Sequence, residues 1–344
     1  MVKALNFFDY RILSFFNEAN QIRKGEFPLP RFLSFHPNYI CNYNCPGCDY
    51  RKLNDEYKLN LSREDLNHLL DEFIKIGIKS IDLCGGGEPL LHPNFIEMAE
   101  KIHKNNILFG VYTNGSLLNG KRLDVIARYA SYVRISLESG TNEVFKKVRN
   151  ISDDSEFEKV INNIREAIRL RKELNREKEL DISLKFTVGK ENKDDMENAI
   201  NLAKELGVDF IAFKMYRNVG VEIKDDQETI DKLALFKEKY GKDVLILGDL
   251  KKTKIEGKCW LSPLIPTVDP FGDVYICSYY RHRLDKHRIG NLLKEEFTKL
   301  WVSEKHKQLV ENIDPDECNV YDCKLHKNNK FMKEVLDEGK LNFI

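Results

Sequence analysis

The sequence has no long hydrophobic run and no excess of charge of either sign. Its 344 residues include 55 Lys and Arg against 55 Asp and Glu, so the formal net charge is zero. A neutral total gives no indication of nucleic acid or an anionic membrane as a partner. No stretch of about 18 apolar residues occurs, which argues against a transmembrane helix. With 42% hydrophobic residues, the composition fits one large globular domain plus a smaller one.

An export signal is also missing. Charged residues at Asp9, Arg11, Glu18 and Arg23 interrupt the apolar side chains of residues 1–32, and no small-residue cleavage site follows them. We therefore expect a cytoplasmic protein whose first 32 residues form a helical extension of about 15 residues and a linker. Because that compartment is reducing, clustered cysteines are expected to be metal ligands rather than disulfides.

Short apolar runs alternate with helical patterns between residue 33 and about residue 215. Six such runs separated by helices predict parallel β/α units. One face of the predicted strands is apolar, and the other carries polar side chains near the C-terminal ends, where barrel sites form. A sheet covered on both faces would be apolar throughout, so we predict an α/β fold that forms a barrel or partial barrel with a polar interior. The predicted strands are 33–40, 80–84, 107–114, 132–138, 180–188 and 209–215.

Three of the eight cysteines lie within eight positions, in CNYNCPGCDY at residues 41–50. A structural zinc site usually closes a tetrahedron with four ligands. Three thiolates on one short loop instead suit three corners of a cubane iron–sulfur cluster, whose fourth iron stays open for a cofactor or substrate. A structural zinc site is the alternative. The three cysteines are Cys41, Cys45 and Cys48.

A glycine-rich motif, GGGEPLLHP, occupies residues 85–93 directly after the second predicted strand. Its glycines let the backbone approach a ligand closely, and Glu88 and Pro89 fix the turn. The cysteine loop and this motif, in this order on successive strands, resemble those of the radical S-adenosylmethionine (SAM) enzymes. In that family a CxxxCxxC loop follows the first strand of a partial (β/α)6 barrel and a GGEP motif follows the second. The resemblance covers residues 33–215, and we assign the barrel domain to residues 33–220.

The resemblance implies a set of cofactors and ligands. The cysteine triad would bind a 4Fe–4S cluster whose open iron takes the amino and carboxylate groups of SAM. An electron from a donor such as flavodoxin or ferredoxin would then cleave SAM to a 5′-deoxyadenosyl radical, which abstracts hydrogen from a substrate. The residues that match the family's SAM contacts are Gly86, Gly87 and Glu88 for the methionine amino group, Asn114 and Ser136 for methionine or ribose, and Arg149 for the carboxylate.

One position departs from the family pattern. Many members have an aromatic residue just before the third cysteine, whereas this chain has Gly47. The contact to the adenine of SAM must then come from elsewhere, and Tyr50 is the residue we suggest.

Four more cysteines follow the barrel. The segment TVDPFGDVYIC, at 267–277, predicts a β-hairpin, and residues 292–312 have a helical pattern. This arrangement resembles the twitch domain, a shorter relative of the SPASM domain of many radical SAM enzymes, and we assign it residues 221–344. Four thiolates could saturate an auxiliary 4Fe–4S cluster, and a zinc site with His326 in reserve is the alternative. The cysteines are Cys259, Cys277, Cys318 and Cys323.

Three further residue types invite a functional interpretation. Cys84 ends the second predicted strand on the interior face, and we favour a packing role over that of a hydrogen-atom donor to a substrate radical. His92 precedes Pro93 and is interpreted as the start of a helix rather than as a catalytic residue. Trp260 and Trp301 are interpreted as packing residues.

The favoured function is therefore a radical SAM oxidation of a small molecule, such as a sugar or amino-acid derivative, with the second cluster taking part in electron transfer. Within the family, the rivals are peptide modification and a redox-neutral epimerisation that uses Cys84. The segment before the first strand is shorter than the leader-binding domain of many peptide-modifying relatives. Outside the family, the rival is a non-catalytic iron–sulfur or zinc-binding partner protein. The residues expected to line the substrate pocket are Glu138, Lys185, Lys214 and Tyr216.

Overall fold

Strands and helices alternate along the computed structural model, which describes residues 11–216, 226–251, 255–320, 323 and 325–336. The strands are β1 (Phe32–Phe35), β2 (Ser80–Leu83), β3 (Leu108–Thr113), β4 (Tyr132–Ser136), β5 (Asp181–Val188), β6 (Phe210–Met215), β7 (Leu245–Leu247), β8 (Thr267–Val268), β9 (Asp273–Tyr275) and β10 (Arg288–Asn291). The helices are α1 (Phe16–Arg23), α2 (Arg51–Tyr57), α3 (Arg63–Lys75), α4 (Phe95–Lys104), α5 (Gly120–Tyr129), α6 (Asn142–Arg149), α7 (Ser155–Glu173), α8 (Met196–Leu206), α9 (Gln227–Tyr240), α10 (Phe297–Trp301), α11 (Glu304–Glu311), α12 (Pro315–Val320) and α13 (His326–Leu336).

The contacts divide these elements between two units. The larger unit consists of residues 35–70 and 79–251, and the smaller of residues 1–34, 71–78 and 252–344. In the larger unit the strands follow one another in chain order, and each pair from β2 to β7 is parallel. The six predicted strands are all present. Because β7 pairs with β6, the sheet continues beyond residue 220, where we predicted its end.

The alternation predicted for the strands is present in β5. Its apolar side chains at Ile182, Leu184 and Phe186 are buried, while Lys185 and Thr187 between and after them are half-buried. Successive side chains of a strand point to opposite faces, so one face packs under the helices and the other lines the interior. This arrangement confirms a parallel α/β sheet of the partial-barrel type.

The polar interior face is hydrogen-bonded within itself. The Tyr132 hydroxyl donates to the Asp82 carboxylate, which joins β4 to β2. The Arg134 guanidinium donates to the Tyr112 hydroxyl over 3.0 Å and lies 4.4 Å from the centroid of the Tyr132 ring. Polar groups that lose contact with water are costly unless they are hydrogen-bonded, so this network allows the interior to be polar.

The smaller unit contains the predicted hairpin. Strands β8 and β9 pair antiparallel, with Gly272 at a φ of +77° in the connecting turn, and β10 pairs with β9 as a strand that we did not predict. Within the predicted helical stretch 292–312, α10 and α11 form.

The core of the smaller unit confirms the packing roles of both tryptophans. Trp260 is buried beside Ile22 of α1 and Met332 of α13. The Trp301 indole is buried, and its Nε1–H donates to the Pro28 carbonyl over 2.8 Å. The N-terminal helix α1 has eight residues and directly follows a 3-10 helix at Arg11–Phe15, and the first ten residues of the predicted extension lie outside the described residues. No helix within the described ranges is long and apolar enough to cross a membrane.

The glycine-rich motif of the larger unit runs beside the segment that leads into the cysteine loop. The Gly87 N–H donates to the Asn38 carbonyl over 3.0 Å, and the Glu88 N–H donates to the Ile40 carbonyl over 2.8 Å. The Asn38 side-chain amide donates back to the Glu88 carbonyl over 2.9 Å. These three hydrogen bonds fix the start of the cysteine loop against the end of β2.

The same contact explains two glycines. A Cβ at Gly86 would lie 2.0 Å from the Tyr39 ring, and a Cβ at Gly87 would lie 2.0 Å from the Ile40 carbonyl oxygen. Both distances are far shorter than any van der Waals contact. We expected these glycines to let the backbone approach a ligand. In the structure they let the glycine-rich motif approach the segment that leads into the cysteine loop.

A double-mutant cycle tests this contact. Gly86→Ala should lower the stability of the larger unit by about 1–3 kcal/mol, because the new Cβ overlaps the buried Tyr39 ring. In the background of Tyr39→Ala the ring is gone, so the same substitution should cost less, with a coupling of about 1 kcal/mol or more. The urea midpoints of the four proteins measure both values. Additive costs would show that the Tyr39 ring is not what excludes a side chain at Gly86.

Candidate functional site

The loop after β1 holds three half-buried thiols, at Cys41, Cys45 and Cys48. The Cys48 N–H donates to the Cys45 carbonyl over 3.2 Å, so the chain turns between these two residues. Burial raises the pKa of Cys41 to about 11 and the pKa of Cys48 to about 12, with a smaller contribution from the charge of Cys45. Thiolates at this site therefore require nearby positive charge or a metal.

Glu88 and Asn114 connect the cysteine loop to the ends of β2 and β3. The buried Glu88 carboxylate accepts from the Thr113 hydroxyl and from the Asn114 N–H, each over 2.7 Å. Burial raises the pKa of Glu88, and these hydrogen bonds oppose the shift. The Asn114 amide donates to the Asn42 side chain over 2.9 Å, and its nitrogen lies 3.9 Å from the Cys41 sulfur.

Arg149, at the end of α6, places a buried cation beside the loop. Its Nη1 lies 3.4 Å from the Cys45 sulfur, and its Nη2 donates to the Ser136 carbonyl at the end of β4. Burial alone would lower the pKa of Arg149, but the negative charges of Cys45 and Glu138 raise it. The guanidinium therefore stays charged. This hydrogen bond joins two of the predicted site residues, Arg149 and Ser136, which are 13 positions apart in the chain.

Glu138, directly after β4, is held in an unusual backbone conformation. Its φ is +61°, in the left-handed region that non-glycine residues rarely occupy. The buried carboxylate accepts from the backbone N–H and the hydroxyl of Thr187 on β5. Burial raises the pKa of Glu138, while the charges of Lys185 and Arg149 act in the opposite direction. Glu138 thus follows the end of β4, and Lys185, within β5, pairs with Ser136, the last residue of β4. That the two side chains line a substrate pocket stays a prediction.

The aromatic ring beside Gly47 is Tyr216, which follows β6. A Cβ at Gly47 would lie 2.9 Å from the Tyr216 ring. Tyr50, the residue suggested for the adenine contact, packs edge-on against His36, with ring centroids 5.4 Å apart. Sequence reasoning placed Tyr216 in the substrate pocket and did not associate it with Gly47.

Cys84 and His92 follow β2. Cys84 is half-buried, and its N–H donates to the Phe35 carbonyl over 3.0 Å, so its backbone continues the pairing of β2 with β1. The buried His92 ring lies with Nε2 3.1 Å from the Leu61 carbonyl, and Nδ1 accepts from the Asn94 N–H. Burial lowers the pKa of His92. Both ring nitrogens are engaged by backbone groups, which supports the structural interpretation of this histidine.

The four C-terminal cysteines line one cavity of the smaller unit. Burial raises the pKa of Cys259 to about 12 and also raises the pKa of Cys323. In both cases repulsion from the charge of Cys277 raises the pKa further. The backbone N–H of Tyr279 lies 3.4 Å from the Cys277 sulfur. In the described part of the chain, no three His, Cys, Asp or Glu side chains converge closely enough to hold a single metal ion.

Arg283 is the cation of this cavity, and the sequence analysis missed it. Its Nη2 lies 3.6 Å from the Cys318 sulfur, and its Nε pairs with the Glu317 carboxylate over 3.1 Å. Burial, and then the charge of Arg283, lower the pKa of His287 to about 4. His326, the reserve ligand of the zinc alternative, has its Nδ1 3.0 Å from the Cys323 carbonyl.

Two family models match the chain. The radical SAM superfamily model matches residues 36–203, and the model of the SPASM iron–sulfur cluster-binding domain matches residues 259–324. The first range contains the cysteine loop and the glycine-rich motif, and the second contains all four C-terminal cysteines. A radical SAM domain implies a 4Fe–4S cluster and SAM, and a SPASM domain implies further iron–sulfur clusters.

Two other proteins are similar in sequence to parts of this chain. A probable GTP 3′,8-cyclase of Sulfurisphaera tokodaii is 26% identical over 249 residues, which cover 70% of this chain and 73% of that protein. The antilisterial bacteriocin subtilosin biosynthesis protein AlbA of Bacillus subtilis is 30% identical over 127 residues, or 36% of this chain and 28% of AlbA.

A solved structure shares the fold. SuiB of Streptococcus suis, bound to S-adenosylmethionine, superposes with a TM-score of 0.67 at 13% identity and covers 90% of this chain and 74% of its own. At this identity the similarity concerns the fold alone. The two family models lead to one conclusion: the chain carries a domain of the radical SAM superfamily at residues 36–203 and a C-terminal SPASM domain at residues 259–324.

Proposed function

We propose that the chain is a catalytic radical SAM enzyme whose first cluster is bound by Cys41, Cys45 and Cys48. The observation that carries this proposal is that two thiols of the loop lie against polar side chains from the ends of other elements: Cys41 lies 3.9 Å from the Asn114 amide and Cys45 lies 3.4 Å from the Arg149 guanidinium. When bound, the cluster and SAM supply the 5′-deoxyadenosyl radical that abstracts hydrogen from a substrate.

The residues present fit such a cluster. Three thiols leave one iron of a 4Fe–4S cube without a protein ligand, which is the position that SAM takes. The raised pKa values of Cys41 and Cys48 mean that these thiols need positive charge to ionise, and the irons together with Arg149 provide it. A closed structural zinc site would need a fourth ligand, and among the described residues no three or more His, Cys, Asp or Glu side chains are arranged to hold a single ion.

Arg149 is the residue that we assign to the SAM carboxylate. Its guanidinium is buried, and its Nε has no hydrogen-bond partner among the described residues. A buried N–H of this kind is costly until it is paired, and a carboxylate is the partner that a guanidinium binds most strongly. The proposed SAM site is completed by Gly86, Gly87, Glu88, Asn114 and Ser136.

For the C-terminal cavity we propose an auxiliary 4Fe–4S cluster bound by four cysteines. The repulsion among their charges supports their proximity, since Cys277 and Cys318 both raise the pKa of Cys259. Four protein ligands leave no iron open for substrate, so such a cluster suits electron transfer rather than substrate binding. It could accept the electron of a substrate radical, which makes a two-electron oxidation of a small molecule, such as a sugar or amino-acid derivative, the favoured reaction.

Peptide modification is the second candidate. AlbA is named for bacteriocin biosynthesis, and SuiB has been crystallised with its precursor peptide SuiA, at 12% identity to this chain. These names support a peptide substrate as an alternative to a small molecule. A redox-neutral reaction that uses Cys84 as hydrogen-atom donor requires that thiol to reach the substrate.

Metal content is the first test. Anaerobically reconstituted protein should hold about eight irons. Replacing the three loop cysteines with Ala should halve the iron and abolish reductive cleavage of SAM, whereas Cys259→Ala with Cys277→Ala should remove the other half and leave some cleavage. A non-catalytic partner protein would give no 5′-deoxyadenosine in any form. About four irons with one zinc would contradict the auxiliary cluster and, with it, the preference for oxidation.

SAM affinity is the second test. Arg149→Ala should weaken SAM binding about ten- to a hundredfold, because it removes a charge-assisted bond to the carboxylate. Lys147→Ala is the matched control, since Lys147 is exposed on the same helix and pairs with Glu143 over 2.8 Å. Equilibrium binding of SAM, with iron measured in parallel, separates loss of affinity from loss of the cluster. An unchanged affinity at full iron would rule out this role for Arg149.

A further inference from the structure

Gly47 and Tyr216 form a close pair across the cysteine loop. They are 169 positions apart in the chain. A Cβ at Gly47 would lie 2.9 Å from both Cε1 and Cζ of the Tyr216 ring and 3.1 Å from its hydroxyl oxygen. The ring therefore fills the volume that a side chain at position 47 would need, directly before the third cysteine of the loop. Gly47 is the residue type that lets this ring come so close.

Strand β6 sets the backbone position of Tyr216. The Tyr216 N–H donates to the Val188 carbonyl over 2.8 Å and so continues the pairing of β6 with β5 by one residue. This pairing fixes the point at which the side chain leaves the backbone, and from there the ring lies against Gly47.

The surroundings of Tyr216 are those of the proposed SAM site. Burial raises the pKa of its hydroxyl far above the ordinary value, the charge of Glu138 adds to the shift, and those of Cys45 and Cys48 add smaller amounts. The positive charge of Arg149 opposes it. The charged groups that act on the hydroxyl thus include two of the loop cysteines and the arginine assigned to the SAM carboxylate.

The other two aromatic side chains of the loop have other neighbours, and the Tyr43 ring centroid lies 5.6 Å from the Arg149 guanidinium carbon. The Tyr50 ring packs edge-on against His36 at 81°, and the Tyr43 hydroxyl donates to the Glu156 carboxylate over 2.8 Å. The Tyr216 ring, in contrast, contacts Gly47, the residue directly before Cys48.

We propose that Tyr216 supplies, from the end of β6, the aromatic surface against which the adenine of SAM packs, and that Gly47 is the complementary residue that admits it. The proposal rests on the proposed function, because it requires SAM at the cysteine loop. Under this proposal Tyr216 belongs to the cofactor site and not to the substrate pocket, and it takes the place of Tyr50 as the adenine contact.

The test uses equilibrium binding to anaerobically reconstituted full-length protein, with iron content measured in each sample. Tyr216→Leu should weaken SAM binding about ten- to a hundredfold, the range found when an aromatic ring that stacks on a base is removed. Tyr216→Phe keeps the ring and should stay within about twofold of the wild type. Methionine lacks the adenine, so its affinity should be the same in all three proteins. Tyr50→Leu is the matched control and should leave SAM affinity unchanged.

A swap of the two residues gives a readout that does not depend on cofactors. Gly47→Phe alone should lower the melting temperature of the apoprotein, because the new side chain overlaps the Tyr216 ring. Gly47→Phe combined with Tyr216→Gly should recover most of that loss and should also recover SAM affinity, since an aromatic ring again occupies the space.

Three results would overturn the proposal. These are wild-type SAM affinity in Tyr216→Leu at full iron, equal losses of SAM and methionine affinity, and a loss of SAM affinity in Tyr50→Leu. A wild-type protein that binds no SAM after reconstitution would instead refute the proposed function itself. The two failures are therefore distinguishable.

Discussion

The contact between the glycine-rich motif and the segment before the cysteine loop is the constraint on which the site depends. Because Gly86 and Gly87 have no side chains, their backbone approaches Tyr39 and Ile40 more closely than any other residue type would allow. The hydrogen bonds made there fix where the loop leaves β1. Glu88 extends the same contact to the end of β3 through its buried carboxylate, which positions Asn114 beside Cys41.

Charge is the second constraint. The cysteine loop, Glu88 and Glu138 place several potential negative charges in a buried region. Desolvation disfavours the ionised forms of both carboxyl groups and of the Cys41 and Cys48 thiols. Arg149 is the buried cation that lies against Cys45, and the fields of Cys45 and Glu138 keep it charged. A site of this composition is stable as a set of charges only when more positive charge is added, which is what an iron–sulfur cluster does.

The sequence predicts what depends on local pattern and spacing. Motif spacing located the cysteine loop and the glycine-rich turn, and period-two alternation identified β5 and its polar face, because both signals lie within one short segment. The pairing of Gly47 with Tyr216, and the position of Arg283 beside Cys318, depend on how distant elements meet. Such contacts between distant segments cannot be predicted from a local sequence pattern. The strand β7, beyond residue 220, was not predicted for the same reason, since it is recognised by its pairing with β6.

The two cysteine sites resemble each other in one respect that spacing does not reveal. In each, an arginine guanidinium lies close to one cysteine sulfur: Arg149 beside Cys45 at 3.4 Å and Arg283 beside Cys318 at 3.6 Å. A carboxylate also acts on the arginine in each site: Glu317 pairs with the Arg283 Nε over 3.1 Å, and the charge of Glu138 helps to keep Arg149 charged. A guanidinium beside a sulfur favours the ionised thiol, which is the form that binds iron. Each site thus combines its cysteines with one buried arginine, and the number of cysteines, three against four, is what separates a cluster with an open iron from one without.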